Sequence, residues 1–127
     1  MGIHTTLRYD DPRGAIEFLT GALGFRELHC YTDDDGTIVH AELAWDDGDD
    51  TAVLALGARK GPDDRFDTGR AVLYLTCDDP DAIHDRAVAA GAPVLMGLTE
   101  QDYGSREFAV TDPEGHVWSL GTYKMGG

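Results

Sequence analysis

Two stretches of this chain turn a strand into a helix with the same device. Leu7-Arg8-Tyr9-Asp10-Asp11-Pro12 leads into a helical pattern, and Leu75-Thr76-Cys77-Asp78-Asp79-Pro80 leads into another, 68 residues later. In each copy an aspartate can accept hydrogen bonds from the free N–H groups of the first helical turn. Proline stands near the first helical position, where its missing donor costs nothing. The carboxylates also suit the positive end of the helix dipole.

The first helix carries Ala15, Ile16, Phe18, Leu19, Ala22 and Leu23 at helical spacing and stops at Gly24; the second carries Ala82, Ile83, Ala87, Val88 and Ala90 and stops at Gly91. Each is amphipathic and must bury one face against a sheet. After the first helix, strands are expected at Phe25 to Tyr31, Thr37 to Trp45 and Thr51 to Leu56, separated by Asp- and Gly-containing turns. After the second they are expected at Pro93 to Met96, Arg106 to Thr111 and His116 to Tyr123, the last two joined by Asp112-Pro113-Glu114-Gly115. The chain of 127 residues is long enough for one packed core and too short for two ordinary domains. The expected fold is therefore α+β, a single domain of two tandem β-α-β-β-β modules (about 3–57 and 70–123) joined by a polar linker, 58–69. Together they would form a curved mixed sheet around a cavity, with the helices on its outer face.

Composition excludes several classes. With 24 acidic and 10 basic residues, a net charge of −14, a nucleic-acid backbone would be repelled. Cys30 and Cys77 belong to no Cys-x-x-Cys pair and read as two buried free thiols in a reducing cytoplasm. No apolar run approaches the roughly 20 residues that a membrane span needs, and the expected location is cytoplasmic. No Gly-x-Ser-x-Gly elbow or phosphate-cradling glycine loop is present.

The stretch from His4 to Pro12, running into Ile16-Glu17-Phe18-Leu19 and Leu23-Gly24-Phe25, resembles the opening of glyoxalase I and of the wider glyoxalase, bleomycin-resistance and dioxygenase (vicinal-oxygen-chelate) superfamily. Thr111-Asp112-Pro113-Glu114-Gly115-His116-Val117-Trp118-Ser119-Leu120 is similar to its closing hairpin. Metal-dependent members hold a divalent ion with two His and two Glu, two ligands from each half. The resemblance places His4 and Glu42 at the first two ligand positions, but Val72 and Ser119 at the third and fourth. Val offers no donor atom and a neutral Ser hydroxyl is a poor one, so no metal cofactor is expected. A divalent ion at His4 and Glu42 would need His40, His29, His116 or a dimer partner to complete its shell. The resemblance also implies a homodimer.

Residue alternation supplies the remaining candidates. Glu42 alternates with Ala41 and Leu43 and should face the cavity, where it would pair with Arg8 or with a cationic group of a ligand. His4, Arg8, His40 and Glu42 fall together if the first and third strands lie near each other. Tyr74, Ser119 and Tyr123 share the concave phase, while Trp118 should pack under the sheet and Tyr103 sits on a loop that could cover the cavity. Such a lining suits an aromatic or cationic small molecule. Two functions are implied: a non-catalytic binder of the bleomycin-resistance type, sequestering an antibiotic, or a lyase, isomerase or dioxygenase with a reduced site around His4 and Glu42. The missing ligands favour the first.

Overall fold

The computed structural model describes residues 2–48 and 50–126. β1 (Thr6–Tyr9) runs into α1 (Pro12–Phe18), which continues as a π-helical turn (Leu19–Leu23) before β2 (Arg26–Thr32), β3 (Ile38–Asp46) and β4 (Thr51–Ala58). The order then repeats as β5 (Val72–Thr76), α2 (Pro80–Ala89), β6 (Val94–Glu100), β7 (Arg106–Thr111) and β8 (Val117–Gly121). The α+β plan of two tandem β-α-β-β-β modules is thus the observed one. Both junctions are capped as the repeat requires: Asp11 accepts from the Gly14 N–H at 3.0 Å and Asp79 from the Ala82 N–H at 3.2 Å, with Pro12 and Pro80 opening the helices. Gly24, at φ 95°, closes the π-turn in a left-handed conformation that a side chain would strain.

Each module builds its own four-stranded sheet, β1-β4-β3-β2 and β5-β8-β7-β6, in which β1–β4 and β5–β8 are parallel and the other pairs antiparallel. β6 runs four residues beyond the expected Met96. Gly97 and Thr99 break the apolar alternation there, and pairing with β7 through register shifts carries the strand. Leu7, Tyr9, Leu43 and Leu56 of the first sheet join Phe108, Val110, Trp118 and Leu120 of the second in one apolar cluster, to which α1 adds Ala15 and Ile16 and α2 adds Ala87. Trp118 is fully buried, as its phase predicts. Because side chains alternate along a strand, the opposite face of each sheet points away from this shared core. Cys77 is buried and Cys30 only half-buried, because it lies on the edge strand β2; both are free thiols. No helix among the described residues is long and apolar enough to cross a membrane.

Polar clamps fix the modules on each other. The buried Asp112 carboxylate accepts from the Tyr9 hydroxyl at 2.5 Å, the Trp118 indole N–H at 3.1 Å, and the backbone N–H groups of Glu114 and His116. Glu114 accepts from the backbone N–H groups of Asp10 (2.6 Å) and Asp11 (2.8 Å), so the second hairpin grips the first strand-to-helix junction. In return the Trp45 indole donates to the Thr76 carbonyl at 2.8 Å, and Arg86 of α2 donates to the carbonyls of Thr20 and Gly21. Asp112→Ala should cost about 3–5 kcal/mol, because it orphans several buried donors at once, and Tyr9→Phe about 1–2 kcal/mol. Urea unfolding of the two variants checks both magnitudes; equal, small losses would remove Asp112 from this role.

Candidate functional site

On the outward face of the first sheet, β4 contributes only small side chains next to β1, so the polar residues of its neighbours stand over an open floor. Ala55 pairs with Thr6 and Glu42, and Gly57 pairs with Arg8. A Cβ at Gly57 would lie 2.5 Å from the Val39 carbonyl oxygen and 3.3 Å from the Arg8 guanidinium, so the close approach of these strands requires glycine. Across β3, Glu42 pairs with His29 and His40 with Tyr31. His40 Nε2 lies 2.8 Å from Glu42 Oε2, and the rings of His29, Tyr31 and His40 stack in sequence along the strands. The His40 hydrogen bond holds the Glu42 carboxyl below its ordinary value; desolvation opposes this, and the imidazoles of His40, His29 and His4 reinforce it.

Four residues expected together on this face are divided by their partners. Glu42 pairs with His40 rather than with Arg8, which is engaged by Asp64 of the linker at 3.1 Å in a largely buried ion pair. The linker folds back over β1 because Arg59 also grips Asp67, at 2.7 Å. His4 is exposed, with Nδ1 2.8 Å from the Val53 carbonyl. His116 lies off the face altogether, buried beside Tyr9 with Nδ1 accepting from the Ala71 N–H.

The outward face of the second sheet is organised around a residue that sequence reasoning missed. Glu107, only 4% exposed, accepts from the Tyr103 hydroxyl on Oε1 at 2.6 Å, and on Oε2 from the Tyr74 hydroxyl at 2.7 Å and the Ser105 hydroxyl at 3.0 Å. Burial pushes its carboxyl up, but the three hydroxyls outweigh burial and hold it below its ordinary value, so Glu107 is ionised at neutral pH. No Arg, Lys or His among the described residues forms an ion pair with it. Gly121 pairs with Glu107 across β7 and β8, and a Cβ there would overlap Glu107 Cγ and the Tyr74 hydroxyl. The signal available in the sequence was phase: in Arg106–Thr111, Glu107 alternates with the core residues Phe108 and Val110. The three hydroxyls that make it distinctive come from separate places along the chain.

Tyr74, Tyr103, Ser119 and Tyr123, each expected in the site, do converge here. With Glu107 and Met125 they line a cavity of about 470 Å³. The Tyr123 ring stands nearly perpendicular to Tyr74 (83°, centroids 6.5 Å apart) and to Tyr103 (77°, 5.5 Å). The Tyr103 phenol is pushed up to about 12 by its bond to Glu107, then by desolvation, so it stays a donor at physiological pH. No hydrogen bond or ion pair among the described residues joins this group to His4, Arg8, His40 or Glu42, because the two faces point away from a common core.

The residues present do not fit the metal centre of the metal-dependent relatives. Among the described residues no group of three or more His, Cys, Asp or Glu is arranged to hold an ion. Val72 is a hydrocarbon, and Ser119, on the same face of the second sheet, lies among tyrosines.

The sequence model of the Glyoxalase/Bleomycin resistance protein/Dioxygenase superfamily matches residues 3–120. An uncharacterized protein of Mycobacterium bovis is 36% identical over 117 residues, which span 88% of this chain and 76% of that one. Among solved structures, TioX from Micromonospora sp. ML1 superposes with a TM-score of 0.80 at 28% identity, covering 98% of this chain and 99% of TioX. A glyoxalase/bleomycin resistance protein from Streptomyces sp. CB03234 shares the fold, with a TM-score of 0.66 at 22% identity, covering 92% and 96% of the two chains. With its two modules, its paired sheets and a family match over nearly its whole length, the chain belongs to the Glyoxalase/Bleomycin resistance protein/Dioxygenase superfamily.

Proposed function

We propose that this protein binds a small organic molecule of the antibiotic type and sequesters it unchanged, in a groove between the first module of one copy and the second module of another. The observation that carries the reading is the tyrosine-lined cavity around ionised Glu107, an aromatic wall with a few convergent polar groups, as small-molecule sites have. The chain's two polar faces point apart, and the edge strands β1 and β5 are left unpaired on their outer sides. Ile3 and Val72 beside them are strongly exposed apolar residues. A homodimer joining β1 of one copy to β5 of the other would cover both and bring His4 and Glu42 opposite the partner subunit's Val72. The free thiols suit a reducing cytoplasm.

The enzyme reading keeps one specific support, the hydrogen bond between Glu42 and His40, a carboxylate–imidazole pair of the kind that relays protons, although the same bond lowers the Glu42 pKa and weakens it as a base. A panel of planar natural products incubated with the protein separates the two readings. Sequestration predicts that bound compounds are recovered by mass spectrometry unaltered; a changed compound establishes catalysis and overturns it.

The groove itself is tested by restoring the metal positions. In sedimentation the protein should run as a dimer, and the double variant V72H/S119E should bind nickel or zinc at about micromolar or tighter, roughly 8 kcal/mol. The parent protein should not. A monomer, or a double variant without metal affinity, would remove the inter-subunit groove.

The charge of Glu107 is tested by pH. Its folded-state pKa lies below the ordinary 4.5, so its stabilising contribution is complete above that value and is lost as pH falls through the folded pKa. Glu107→Gln should therefore show a shallower loss of urea midpoint than the parent between about pH 5 and pH 3. Identical slopes would mean that folding leaves the Glu107 pKa where it lies in the unfolded chain.

A further inference from the structure

Glu107 is unusual for what it lacks. A carboxylate offers about four lone-pair sites. Asp112, the other buried acceptor hub, fills all four from its own chain, two on each oxygen. Glu107 fills three: Oε2 takes Tyr74 and Ser105, while Oε1 takes Tyr103 alone. The charge is neutralised by no cation of the described chain, and Glu107 itself is part of the cavity lining. Around it stand three tyrosine rings, with Tyr123 perpendicular to each of the other two.

We propose that the Glu107, Tyr74, Tyr103 and Tyr123 cluster is an ammonium-recognition corner, selecting ligands that carry a tertiary or secondary alkylammonium nitrogen on an apolar skeleton. This rests on the small-molecule-binding reading and narrows its ligand class. An ammonium carbon shell is attracted to the electron-rich faces of aromatic rings within about 6 Å. One N–H reaches the single open acceptor on Oε1, forming a charge-assisted hydrogen bond. A guanidinium, with five donors, would find too few acceptors and bury the rest unpaired. An anionic ligand would meet Glu107 directly. The chain's net charge of −14 adds long-range attraction for the same class of ligand.

The test uses the full chain and three probes that share one ring: N,N-dimethylbenzylamine, cationic at neutral pH, its uncharged counterpart N,N-dimethylbenzamide, and benzylguanidinium. Binding is read by calorimetry and by tyrosine fluorescence. The amine should bind at least about tenfold more tightly than the amide, a difference of roughly 1.4 kcal/mol, and more tightly than the guanidinium. Glu107→Gln should abolish the preference for amine over amide. Tyr123→Leu, which touches no carboxylate, should weaken the amine while circular dichroism shows the fold retained. An amide that binds within about twofold of the amine, or a preference that survives Glu107→Gln, overturns the ammonium assignment and leaves a neutral aromatic site. Failure of all three probes to bind also overturns it, while the sequestration reading is decided separately by the natural-product panel.

Discussion

The buried carboxylate of Asp112 is the constraint on which the remaining arrangement depends. It receives the Tyr9 hydroxyl from β1 and the Trp118 indole from β8, and it closes its own turn through the N–H groups of Glu114 and His116. A buried charge is tolerable only when its lone pairs are occupied, and four donors meet that condition without a cation. Once Tyr9 and Trp118 are tied to one atom, the inner faces of the two sheets have no choice but to share a core. Their polar faces are thereby turned outward, and the separation of the His40–Glu42 pair from the Glu107 cluster follows from that single node. Burial pushes the Tyr9 phenol far above its ordinary value, and the bond to Asp112 reinforces the shift, so the donor is permanent.

The same chemistry therefore appears twice with opposite outcomes. Asp112 sits in a turn whose backbone supplies two donors, and the site is closed. Glu107 sits in mid-strand, where its own backbone groups are committed to the ladder, so only side-chain hydroxyls can reach it. Hydroxyls stabilise the anion while remaining able to reorient, and two of the three ride on rings that also wall the cavity. Structural closure in one case and an open acceptor in the other come from where along the chain each carboxylate falls.

Legibility in the sequence followed the range of the interactions. The helix caps at Asp11 and Asp79, the strand Arg106–Thr111 and the burial of Trp118 were readable because they depend on neighbours a few residues away or on period-two phase. The convergence of Tyr74, Ser119 and Tyr123 was readable for the same reason. What escaped depends on partners far apart in the chain: Arg8 with Asp64 across the linker, and Glu107 with Tyr74 from the start of the module. Glu42 illustrates the limit within one element. Its phase placed it on the correct face, but whether Arg8 or His40 would pair with it was decided by a linker whose sequence reads only as polar.

The two modules also show how a duplicated frame can exchange its chemistry. Gly57 in β4 pairs with Arg8 of β1, and Gly121 in β8 pairs with Thr76 of β5, so each module keeps a glycine at the same place between its parallel edge strand and the next antiparallel strand. In both, a Cβ would collide with backbone or with a polar side chain of the outward face. The glycine is thus a requirement of the frame, and the residues around it are free to differ. In the first module that space holds the Val39 carbonyl and the Arg8 guanidinium; in the second it holds Glu107 and the Tyr74 hydroxyl. A face with imidazoles and a paired Glu42 is suited to moving protons or holding an ion once enough donors are present, whereas a hydroxyl-bound carboxylate among rings is suited to holding a cation still. The first set stands on β2 and β3 of one module, and the second is assembled wholly within the other.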